Sequence, residues 1–62
     1  MHISLQEAIE IHARVWLYRQ GDFAPHIARL HARALEKAGD RKGYDVWECV
    51  AKQIERLIGY AK

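Results

Sequence analysis

The chain has no threonine, one serine (Ser4) and one cysteine (Cys49), so the usual oxygen and sulfur nucleophiles are nearly missing from its 62 residues. Ser4 stands at a helix start and is engaged as a cap. A lone cysteine excludes an internal disulfide framework and a cysteine-only zinc site. Cys49 has no histidine near it in sequence to draw off its proton and reads as an inert, half-exposed thiol. No glycine-rich phosphate cradle, paired carboxylates or metal-ligand spacing is present. The expectation is a non-enzymatic chain with no catalytic residue, metal or cofactor. The longest uninterrupted apolar run is Val15-Trp16-Leu17-Tyr18, far short of the roughly 20 residues that cross a bilayer. The start, Met1-His2-Ile3-Ser4, lacks the basic segment and apolar core of a secretory signal. Small secreted domains generally carry disulfides, so the expected setting is cytoplasmic. Ten basic against eight acidic side chains leave +2, too near balance to imply a nucleic-acid or membrane partner by net charge alone.

What is present is helical punctuation. Half of the residues are apolar, enough for one packed domain over residues 1–62 and against intrinsic disorder. Gly-Asp occurs at Gly21-Asp22 and again at Gly39-Asp40, each after a stretch with helical apolar spacing. Glycine takes the left-handed conformation that closes a helix, and the following aspartate can accept the free backbone N–H groups that open the next. Ser4-Leu5-Gln6-Glu7 has the form of a capping box. Pro25 is tolerable in a first helical turn. The prediction is an all-α fold: a compact three-helix bundle with short Gly-Asp connections and helices over about 4–20, 22–38 and 41–60.

With residues spaced about 100° apart around each helix, helix 3 gathers Val46, Trp47, Val50, Ala51, Ile54, Leu57, Ile58 and Ala61 on one arc. Helix 2 is expected to turn Phe23, Ala24, Ile27, Leu30, Ala34, Leu35 and Ala38 inward. Helix 1 differs. Leu5, Ala8, Ile9, Ala13 and Trp16 make a core face, and Ile11, Val15 and Tyr18 carry the apolar arc well past it. That arc is wider than two neighbouring helices require, so Ile11, Val15 and Tyr18 are the candidate partner-binding residues, for a second copy or a larger protein. A slightly different rotation of helix 1 would bury them instead.

The frame Trp16, Gly21-Asp22, Ile27-Ala28, Ala34-Leu35, Ala38-Gly39-Asp40, Gly43, Trp47, Ile54 and Leu57 resembles a family of short bacterial helical domains of unknown function. The resemblance covers Ser4 to Ile58. It implies a compact helical fold in a bacterial cytoplasm and carries over no functional residue. The chain departs from that pattern with histidine at His12 and His31.

His12 and His31 fall within the apolar faces of their helices, which predicts inward-pointing imidazoles hydrogen-bonded to Tyr44, Tyr60 or a carboxylate. Such a pair is also a candidate pH-sensitive core, or two ligands of a metal site completed by Glu10 or Cys49. On the outer face of helix 2, His26, Arg29, Arg33 and Lys37 recur three and four residues apart, and Arg41 and Lys42 extend the positive stripe. Like charges four apart repel by roughly 0.2–0.5 kcal/mol per pair. Arg29, Arg33, Lys37, Arg41 and Lys42 therefore form an alternative contact surface for nucleic acid or another anion, beside the plain reading of a solvated face. Helix 3 lacks the Arg, Asn and Gln cluster of a base-reading helix near its start.

Overall fold

The computed structural model describes residues 3–61; the side chains of Tyr60 and Ala61 lie outside that description. The described chain is all-α. Helix α1 (Leu5–Gln20) runs through a 3-10 turn at Gly21–Phe23 into α2 (Ala24–Lys37), and α3 (Arg41–Ala61) returns alongside. The molecule is flattened, 36 × 31 × 16 Å across its Cα atoms.

Local chemistry explains the boundaries. Ser4 opens α1, its Oγ accepting the Glu7 backbone N–H at 3.1 Å, while the Ser4 hydroxyl lies 3.3 Å from the Glu7 carboxylate. At the other end of the run, Gly39 takes φ +83°. The Gly39 N–H donates to the Glu36 carbonyl at 3.0 Å and the Asp40 N–H to the Leu35 carbonyl at 2.9 Å, the paired bonds of a Schellman ending. Asp40 then caps α3 by accepting the Gly43 N–H at 2.9 Å.

The first Gly-Asp behaves differently and corrects the three-helix expectation. Gly21 has φ 64° and ψ −142°, yet its N–H still donates to the Leu17 carbonyl, and the Ala24 N–H donates to the Gly21 carbonyl. Asp22 does not cap α2, whose entry residue Phe23 stays in the right-handed helical region without a side-chain cap. The hydrogen-bonded run is therefore bent rather than ended. Residues 5–37 make one long bent helix, and with α3 the fold is a helical hairpin rather than a bundle of three separate helices.

α3 packs along both arms of the bent run and most extensively along α2, whereas the two arms meet little beyond the bend. Among the described residues, those buried are Ile9, Ala13, Ala24, Ala28, Ala32, Val50, Ala51 and Ile54. Five of these eight are alanine, and Ala24, Ala28 and Ala32 form an i, i+4 row that lets α3 approach closely. Trp16, Leu17, Val46, Trp47, Leu57 and Ile58 pack around this centre half-buried. Because α1 does not fold back over α2, that helix buries only the strip facing α3. Phe23, Leu30, Ala34 and Ala38, expected inward, are exposed, and so is Leu5 of α1.

Candidate functional site

The outer face of α1 carries an apolar ridge. Ile11 is 50 % exposed, Val15 48 % and Tyr18 93 %. They lie on the side of α1 away from its buried residues, Ile9 and Ala13. Ala8, three residues before Ile11, completes a 3-4-3 spacing, the period of a helix face that meets another helix. Assigned to the core by its angle, Ala8 is half-buried at the head of the ridge. Beside it, an apolar groove of about 200 Å³ lies between Leu5, Ala8 and His12 of α1 and Val46, Trp47 and Val50 of α3. Of the large apolar side chains that stand exposed among the described residues, Ile11, Val15 and Tyr18 are on the ridge, and Ile3, Leu5 and Phe23 lie toward the ends of α1. Only Leu30 belongs to α2.

A cluster of four rings joins both arms of the bent helix to α3. The His31 imidazole stacks on the Trp47 indole, with centroids 4.7 Å apart and planes 19° from parallel. Trp16 meets both edge-on, 5.6 Å from His31 and 5.5 Å from Trp47. His12 stands edge-on to Trp47 at 6.4 Å. The expectation of inward histidines is corrected here: His12 and His31 are exposed residues, and each turns its ring onto the tryptophans instead of entering the core. Tyr44 is half-buried and lies under the Arg41 guanidinium, 5.7 Å from its ring centre; the Tyr60 side chain falls outside the described residues. The Trp16 Nε1 is buried without a hydrogen-bond partner. Among the described residues, no three of His, Cys, Asp and Glu gather where they would hold a metal ion.

The basic stripe is partly neutralised within the chain. Arg29 donates to Glu55 across the α2–α3 seam at 3.1 Å. This hydrogen bond, partly offset by burial and reinforced by the charges of Glu55 and Glu48, raises the arginine above its ordinary value. Arg41 pairs with Asp45 one turn on, at 3.4 Å. Arg33, Lys37 and Lys42 are exposed and form no ion pair among the described residues. Cys49 is exposed on α3. Among the described residues, no helix is long and apolar enough to cross a membrane.

Fold and surface together define a small all-α protein, a bent helical hairpin with an apolar ridge along one arm. Compared with known protein families, curated proteins and solved structures, the chain finds no match.

Proposed function

We propose that this chain is a non-enzymatic protein-interaction module of the bacterial cytoplasm that docks through the outer face of α1. The observation that carries the reading is the line of exposed apolar side chains at Ile11, Val15 and Tyr18, set on one helix and facing away from the core. Exposed apolar surface organised in this way marks a contact with another protein. The alanine-rich core adds support, because a partner that binds only the folded state stabilises it by mass action. The nucleic-acid alternative is the weaker one, since Arg29 and Arg41 are each held by a carboxylate of the same chain.

The test compares the wild type with Ile11→Glu and Val15→Glu. Both variants are expected to lose association while keeping the far-UV circular dichroism of the parent. Unfolding of both would place those residues in the core and overturn the reading.

A further inference from the structure

We infer that the outer face of α2 is a second docking surface, built for an acidic amphipathic helix of another protein. The apolar side chains of that helix would lie over Ile27, Leu30 and Ala34, and its carboxylates against Arg33 and Lys37. The inference is independent of the α1 ridge, which belongs to the other arm of the bent helix.

A groove of about 320 Å³ lies over Ile27, Leu30, His31 and Ala34. Leu30 is 48 % exposed, and Ala34 is exposed beside it. Ile27, Leu30 and Ala34 recur three and four residues apart, the spacing with which one helix meets another laid alongside. Ala34 and Ala38 are exposed and small, so a large side chain of an incoming helix has room above them.

Charge names the occupant. Arg33 follows Leu30 by three residues and Lys37 follows Ala34 by three, so both cations stand along one edge of the apolar strip. They are exposed and form no ion pair among the described residues. Four residues apart, they also repel each other. A carboxylate between them removes that repulsion and gains two attractions. Arg29, next in the row, is already held by Glu55, and Glu36 projects about 100° round the helix from Lys37. At the opposite edge of the groove, His31 is turned onto Trp47. A positive edge facing an aromatic wall suits a helix with apolar side chains on its inner face and carboxylates along one flank. A phosphate backbone would engage the two cations and leave Ile27 and Leu30 uncovered. A lipid surface favours several large apolar side chains on the buried face, and among the described residues Leu30 is the one large apolar residue of α2 that stands exposed.

The experiment is fluorescence anisotropy with a short labelled helical peptide that carries leucines at three- and four-residue spacing and glutamates along one flank. Two twins replace the glutamates with glutamine or with lysine. The acidic peptide is expected to bind about five- to tenfold more tightly than the glutamine twin, the worth of two exposed ion pairs, and to lose that advantage in high salt. Leu30→Ser should weaken both. Joint reversal, Arg33→Glu with Lys37→Glu, should transfer the preference to the lysine twin while the far-UV circular dichroism stays that of the parent. Ile11→Glu should leave peptide binding unchanged, which separates this surface from the α1 ridge. Absence of binding, equal binding of the twins, or a preference that survives the charge reversal would overturn the inference. Tighter binding of a single-stranded oligonucleotide or of phosphatidylglycerol vesicles would give the face to phosphate and overturn it too. So would a concentration-dependent dimer in light scattering that Leu30→Ser abolishes, because the groove would then belong to a second copy.

Discussion

The imidazole of His31 lies nearly parallel to the indole of Trp47, 4.7 Å away, and so ties α2 to α3 at the surface. Offset-stacked aromatic pairs contribute about 0.5–1.5 kcal/mol beyond the area that they bury. His12 reaches the same indole only edge-on at 6.4 Å. His31→Ala is therefore expected to lower the thermal midpoint by several degrees, about 4–8 °C per kcal/mol in a domain of this size, and His12→Ala by less. A calorimetric scan of both variants checks the order; equal losses would show that the stack adds nothing.

The two Gly-Asp joints should respond differently to loss of their aspartates. Asp40 caps α3 through the Gly43 N–H at 2.9 Å, and removing such a cap typically costs about 1 kcal/mol. Asp22 sits in a turn whose helix entry has no side-chain cap. Urea titrations of Asp40→Ala and Asp22→Ala should show a clear shift in midpoint for the first and almost none for the second.

Gly21 has open space where a Cβ would stand, so the cost of replacing it lies in its backbone alone. Its φ of 64° with ψ of −142° is close to a region that only glycine populates readily, where another residue costs about 1–3 kcal/mol. Gly21→Ala is expected to destabilise by that amount even though alanine is the better helix former. Gly59, in α3 with open space around it, gives the opposite sign: Gly59→Ala should stabilise by up to about 1 kcal/mol. Denaturation of the pair separates backbone strain from helix propensity.

The Arg29–Glu55 pair spans α2 and α3 with side chains 36 % and 51 % exposed, so water screens it and its worth is below about 1 kcal/mol. Its hydrogen bond to Glu55 raises Arg29 above the ordinary arginine value. A group raised in the folded state contributes its full stability below its unfolded value and loses it only as pH rises through the folded one. Arginine stays charged throughout the neutral and moderately alkaline range. The small cost of Arg29→Gln should accordingly be the same at pH 7 and pH 9 by chemical denaturation.

Much of the local structure was legible because its causes are local. Ser4 and Glu7 announce the start of α1, and Gly39-Asp40 announces both the end of α2 and the cap of α3. Gly21-Asp22 carries the same letters and acts differently, since a joint ends a helix only if the residues after it leave the helical region. Phe23 and Ala24 remain in it, and nothing in the dipeptide says so. The faces of α2 were misjudged for a related reason. Angular spacing shows which residues are apolar, but not how many neighbouring helices will cover them. With α3 as the main neighbour of α2, Leu30 and Phe23 are left outside. The breadth of the α1 arc at Ile11, Val15 and Tyr18 was readable from spacing, while its occupant depends on a surface beyond a single chain.

The alanine row of α2 has a consequence for how such a chain can change over time. Ala24, Ala28 and Ala32 are fully buried, and an added methyl group at any of them would force the two helices apart, typically at a cost of 1–3 kcal/mol in a well-packed interior. Outer positions away from the α1 ridge, the α2 groove, the Gly21 bend and the Asp40 cap carry no such restriction. Descendants of this fold would drift freely in most of their residues and keep a beat of small side chains at every fourth place, so kinship among them would survive as rhythm after it had faded as identity.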